Sequence, residues 1–187
     1  MSSHHIIREN QEPALLFNSV DSLDSEYLGQ LLEWSPSVLT NEYFVDFLLA
    51  ENIKVDIVFG AKHTLYKQDS IKKVGVTQSF LKDALLYLVS NNYKAVNIIS
   101  DKVEEVFFEF STLINIVAFV EGIRYVFVRG QYKKWKPKGE MVLVNEEYLK
   151  SLVGVRRTKV NEFVSISDGF IHLEFNTQGF VSIGEVV

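Results

Sequence analysis

A chain of 187 residues, 47% hydrophobic and 23% charged, is long enough to bury a core of its own and too apolar for wholesale disorder. It holds no cysteine, which excludes disulfides, zinc–thiolate sites and a cysteine nucleophile and fits a reducing, cytoplasmic setting. A formal charge of −5 argues against nucleic acid as a partner, because gripping a polyanion relies on cations that displace its counterions.

The polar start, Met1 to Gln11, reads as a loose terminus and not a secretory signal, with His4 and His5 solvated. Ala14 to Phe17 is a short apolar run that suits a buried strand. Asp21 to Glu33 carries Leu23, Tyr27, Leu28, Leu31 and Leu32 at helical spacing, with Asp24 or Ser25 as cap and Pro36 as a stop. Ser37 to Thr40 is a second strand. Asn41 is placed to cap a helix running to Glu51, and the β-branched run Val55 to Phe59 ends a third strand at Gly60. Lys72 to Val76 reads as a short strand. Thr77 to Ser90 is an amphipathic helix closed by Asn91 and Asn92.

Ala95 to Ile99 is a further buried strand, Val103 to Val120 a long apolar helix ended by Gly122, and Ile123 to Val128 a strand again. This alternation predicts a parallel sheet covered on both faces. After Gly130 the pattern turns extended, at 140–144, 154–158, 162–167, 170–175 and 179–183, with a short helix at Asn145 to Leu152. The expected fold class is α/β: an N-terminal parallel-sheet, Rossmann-like three-layer domain over residues 1–130, then a small antiparallel β unit over 131–187. No run approaches the roughly 20 apolar residues of a membrane span, so no membrane partner is expected.

No glycine-rich phosphate fingerprint follows a strand, no serine stands in a nucleophile elbow, and no histidine pair has ligand spacing. In open α/β sheets ligands sit at the carboxyl ends of the strands. That rule selects Asn18, Glu42, His63 and Asp101 as candidate ligand-binding residues, with no catalytic residue and no metal site assigned. Carboxylates at Asp101, Glu104 and Glu105 are read as complements to a helix dipole. The basic stretch Lys133 to Lys138, around Trp135, is read as a solvated hairpin whose lysines guard an edge strand, with an acidic partner for it as an interaction reading.

The passage Leu28 to Gly60, LGQLLEWSPSVLTNEYFVDFLLAENIKVDIVFG, resembles the opening of thiamine pyrophosphokinases, and the order of elements extends the resemblance over about residues 14 to 175. It implies an α/β domain joined to a β-sandwich, a homodimer, thiamine or a nucleotide as ligand, and magnesium with ATP if the family's activity survives. Where the family has Gly-Asp-x-Asp-Ser for magnesium, this chain has Gly60-Ala61-Lys62-His63-Thr64. The family's Asp-Gly falls near Asn41-Glu42, and its Thr-Asp at Ser79-Phe80. Its Arg-x-Asp-His falls at Phe108-Glu109-Phe110-Ser111, continued by Thr112, Leu113, Asn115 and Ile116, and its Ser-Asn-Glu at Val160-Asn161-Glu162.

Magnesium takes oxygen ligands, and pyrophosphoryl transfer rests on cations that neutralise charge spread over phosphate oxygens. Losing the aspartates removes ligands outright, while Phe80, Phe108 and Phe110 turn a wet site into core, each contributing about 1.5–3 kcal/mol on burial. The expected function is therefore a divergent thiamine pyrophosphokinase-like scaffold that binds a ligand or partner without catalysis. The alternative is an active thiamine pyrophosphokinase with a metal site rebuilt from Glu42, Asp101, Glu104 or Glu105.

Overall fold

The computed structural model describes residues 12–60 and 65–187; Met1 to Gln11 and Ala61 to Thr64, with the readings of His4, His5 and His63, lie outside the described residues. Strand β1 (Ala14–Phe17) is buried along its whole length. Because side chains alternate across a strand, Ala14 and Leu16 enter one core while Leu15 and Phe17 enter another. Helix α1 (Ser25–Leu32) starts at Asp24, whose carboxylate accepts the Tyr27 N–H at 2.9 Å. Then come β2 (Val38–Asn41), α2 (Val45–Ala50), β3 (Ile57–Phe59), β4 (Lys72–Val74), α3 (Phe80–Ser90) and β5 (Ala95–Ile99). α1 and α2 cover the Leu15–Phe17 face of the sheet, α3 covers the Leu16–Ile98 face, and the result is three layers. Asn92 takes the left-handed conformation (φ 64°) just after α3, as asparagine tolerates.

Strands β6 (Asn115–Val120) and β7 (Ile123–Val128) follow the short helix α4 (Glu105–Phe110). This corrects the long helix expected over Val103 to Val120. The Ser111 hydroxyl donates to the Phe107 carbonyl at 2.7 Å and the Ile114 N–H to Phe110 at 3.0 Å, closing the last turn. The β-branched run beyond then finds a better partner in β5, pairing Ala95 with Asn115 and Ile99 with Phe119 in parallel. Glu121 (φ 49°) and Gly122 (φ 73°) form the two-residue turn of an antiparallel β6–β7 hairpin. Positive φ at both positions matches the right-handed twist of the strands. Asn41 also departs from expectation: its side chain accepts the Tyr43 N–H and makes a turn, while the N-cap of α2 is Phe44.

The remaining strands are β8 (Gln131–Lys136), β9 (Met141–Leu143), β10 (Leu149–Val153), β11 (Val155–Lys159), β12 (Glu162–Ser165), β13 (Gly169–Phe175) and β14 (Val181–Val186). One eleven-stranded sheet runs β11-β12-β9-β14-β7-β6-β5-β1-β2-β3-β4, parallel from β6 to β4 and antiparallel from β6 to β11. A three-stranded sheet, β10-β13-β8, packs on its antiparallel half around Val142, Phe163, Leu173 and Ile183. The fold is thus mixed α/β, with a small separate antiparallel sheet. The short helix expected at Asn145 to Leu152 is one 3₁₀ turn (Glu146–Tyr148) followed by β10. The lysine-rich stretch is no local hairpin either: β8 is an edge strand whose partner is β13, register Trp135 to Phe170.

The N-terminus of α3 offers a local check. Ser79 is its N-cap and accepts the Lys82 N–H at 3.3 Å. Ser79→Ala should cost about 1 kcal/mol, lowering the thermal midpoint by about 2–4 °C; an unchanged midpoint would mean that the cap is idle.

Candidate functional site

The sheet reverses its strand order between β1 and β5: the chain goes from β1 to β2, β3 and β4 on one side and resumes with β5 on the other. Two adjacent strands whose connections leave in opposite directions open a crevice at their carboxyl ends. Asn18 and Asp101 stand there. The Asn18 amide donates to the Ser100 hydroxyl at 3.0 Å, and both Asn18 and Ser19 donate their N–H groups to the Ile99 carbonyl, at 2.8 and 3.0 Å. Ser22 donates to Ser19 at 3.1 Å and to the Asp101 carboxylate at 3.3 Å.

One strand further along, the Thr40 hydroxyl donates to the Phe17 carbonyl at 3.3 Å. The Glu42 N–H donates to the Phe59 carbonyl at 3.1 Å, and the Glu42 side chain lies over Gly60, where an added Cβ would stand 2.8 Å from the carboxyl carbon. That close approach is what requires glycine at this strand end.

The crevice is therefore rimmed by hydroxyls and an amide. Ser19, Ser22, Thr40 and Ser100 are all buried. None of the four was selected as a candidate from the sequence, although Thr40 lies near the end of β2, Ser100 follows β5, and Ser19 and Ser22 lie in the loop after β1; burying a hydroxyl costs about 1–3 kcal/mol unless it is paired, and here each is paired. The structure brings Asn18 and Asp101 to one edge. Glu42 sits on the neighbouring pair of strands, and His63 lies outside the described residues.

Asp101 and Glu42 follow β5 and β2, two strand spacings apart, or about 10 Å. Magnesium takes several donor oxygens at about 2.1 Å from one centre. Among the described residues no three His, Asp or Glu side chains stand together as a metal site. Phe80 packs edge-on against Phe59 at the end of β3 with centroids 5.8 Å apart, and Phe108 and Phe110 join the same core. Because α4 ends at Phe110, the motif matched onto Phe108-Glu109-Phe110-Ser111 runs to the end of the helix, and its continuation from Thr112 to Ile116 lies beyond it.

A second polar assembly lies inside the sandwich. Glu185, on β14, is buried and accepts from Tyr132 at 2.7 Å, Lys134 at 2.6 Å, Lys136 at 2.9 Å and Arg124 at 3.3 Å. Burial alone would push this carboxyl up; hydrogen bonds from Lys134, Tyr132 and Lys136 outweigh it and hold the group at about 2. Burial, and then the hydrogen bond to Glu185, raise the Tyr132 phenol. Lys136 is itself 5% exposed, which corrects the reading of that one residue as solvated; Lys133, Lys134, Trp135 and Lys138 are exposed. Every member faces another member, so the assembly ties β8 to β7 and β14.

No family model matches the chain, and no curated protein is similar to it in sequence. Solved structures are similar in fold. A protein from Lactobacillus plantarum superposes with a TM-score of 0.68 at 12% identity, over 93% of this chain and 97% of that one. Thiamine pyrophosphokinase from Bacillus subtilis gives 0.62 at 12% identity, over 93% and 98%. Yeast thiamin pyrophosphokinase gives 0.65 at 8% identity, over 98% and 88%.

Proposed function

We propose that this chain keeps the fold of the thiamine pyrophosphokinases as a ligand-binding or interaction scaffold and does not transfer a pyrophosphoryl group. The observation that carries the reading is the donor set at the strand ends. Buried hydroxyls and an amide, each already paired, line the crevice between β1 and β5, and among the described residues no three carboxylates or histidines stand together to hold a metal. Such a rim suits hydrogen bonding to a neutral or weakly charged group far better than gripping a metal-bound triphosphate. Asn18 and Asp101 are the proposed contacts, with Glu42 and His63 as flanking candidates. The homodimer and the thiamine or nucleotide ligand that the fold suggests belong to the same proposal, as does a cytoplasmic location. No helix among the described residues is long and apolar enough to cross a membrane.

Thermal unfolding with thiamine, thiamine diphosphate, and ATP with and without magnesium tests the reading. A rise with thiamine or a nucleotide would mark the ligand, whereas thiamine with ATP and magnesium should yield neither thiamine diphosphate nor AMP. A ligand at a hundred times its Kd adds roughly 2.7 kcal/mol, a rise of about 5–11 °C for a chain of this size. Such a rise with ATP and magnesium, accompanied by both products, would overturn the proposal. Asp101→Ala and Glu104→Ala would then report whether rebuilt carboxylates carry the turnover.

A further inference from the structure

α4 carries Glu105 in its first turn and Glu109 four residues later. Both line a cleft of ≈ 500 Å³ between this helix, the 3₁₀ turn before β10 and the start of β14, with Phe108, Asn145, Tyr148 and Phe180 as its other principal walls. That volume lies in the range of pockets that take small ligands.

Local electrostatics explains Glu105, which complements the positive end of the helix, but not Glu109. A carboxylate in the last turn faces the negative end of the dipole, and a second one four residues away repels it. No basic residue stands in that last turn. Among the described residues neither glutamate forms an ion pair; the nearby Lys102 pairs with Glu104 instead, at 3.5 Å. Two carboxylates at helical spacing, one of them at the disfavoured end of the dipole, thus stand on the wall of a cleft that also presents three aromatic rings.

Carboxylates and ring faces share one kind of guest. A ring face attracts a cation through its quadrupole, and a carboxylate gives a charge-assisted hydrogen bond to an N–H donor. Phe180 already shows the preference within the chain, with the Arg129 guanidinium 4.1 Å from its ring centroid. We propose that this cleft binds a guanidinium or alkylammonium group, held by Glu105 and Glu109 against the Phe108, Tyr148 and Phe180 rings. The group can belong to a free small cation or to an arginine or lysine side chain of another protein. The cleft shares no residue with the crevice between β1 and β5, so its failure leaves the proposed function standing.

Titration calorimetry, with the contact mapped by amide chemical shifts, tests this with ethylguanidinium against its neutral isostere ethylurea. A second arm uses Gly-Gly-Arg-Gly-Gly against the same peptide with citrulline. The cations should bind about tenfold or more tightly than their neutral partners, at the cleft. Glu109→Gln should weaken that binding severalfold while raising the thermal midpoint of the free protein, because it removes a repelled charge. A peptide that binds more tightly than ethylguanidinium assigns the group to a protein partner; equal or weaker binding assigns it to a free cation. Equal affinity for charged and neutral probes, shifts elsewhere on the surface, affinity unaffected by Glu105→Gln with Glu109→Gln, or displacement by equimolar magnesium would each overturn the proposal.

Discussion

Glu185→Ala should cost about 3–5 kcal/mol and lower the thermal midpoint by about 6–20 °C. The loss comes less from the ion pairs than from what their removal leaves behind. Lys136 would keep its charge at 5% exposure with Glu140, at 3.9 Å and half exposed, as its remaining partner, and the Tyr132 hydroxyl would lose its acceptor. Arg124 and Lys134 are more open to water and can rehydrate. The double variant Glu185→Leu with Lys136→Leu should therefore recover much of the loss, since an apolar pair of similar size removes both buried charges together. Chemical denaturation of the two variants checks this; a single variant no worse than the double would refute the buried-charge account.

The same network makes stability depend on pH, with a definite sign. The Glu185 carboxyl is held at about 2 when folded, against its ordinary 4.5. A depressed folded value means stability fully present above pH 4.5 and lost as pH falls toward 2, on the order of 3 kcal/mol in all. Tyr132 acts at the other extreme: its raised value gives stability present below pH 10 that declines as pH rises beyond it. Thermal midpoints followed from pH 7 down to pH 2 should fall more steeply for the natural chain than for Glu185→Gln. Parallel curves would show that this carboxylate is not the group that titrates.

These residues also mark where sequence stops being informative. Strands with clear ends were legible: Ala95 to Ile99 and Ile123 to Val128 lie where their apolar, β-branched character puts them. The cap of α1 was legible to within one residue: of Asp24 and Ser25, it is Asp24 that accepts the Tyr27 N–H. The sandwich interior was not. In a strand of alternating direction the inward set cannot be known until the partner is, and Tyr132, Lys134 and Lys136 share one parity of β8 while Lys133 and Trp135 share the other. Their common acceptor is more than fifty residues away from Tyr132 and Lys134, at Glu185. The strand-end crevice was half legible: topology points to Asn18 and Asp101, whereas buried Ser19, Ser22 and Ser100 look like ordinary loop residues until they are seen to be paired.

Phe107→Ala should be as damaging as the loss of Glu185, at about 3–5 kcal/mol, and it probes the stretch where periodicity misled. A continuous apolar run such as Ile116 to Val120 suits a buried helix or a buried strand equally well, and the choice is made by what it can pair with. Here the helix stops after six residues, too few to be stable alone, so α4 depends on its packing. Phe107 is fully buried, and its ring meets Phe127 of β7 edge-on with centroids 6.1 Å apart. Phe108 meets the same ring at 4.9 Å. Phe127 thus joins the β6–β7 hairpin to the helix that precedes it, and truncating Phe107 opens a cavity at that joint. Amide exchange should quicken first in α4 and the hairpin, before β1 to β3 respond. Phe107→Leu, which keeps much of the volume, should cost markedly less. If the alanine variant unfolded with an unchanged denaturant midpoint, α4 would owe its helix to something other than this contact.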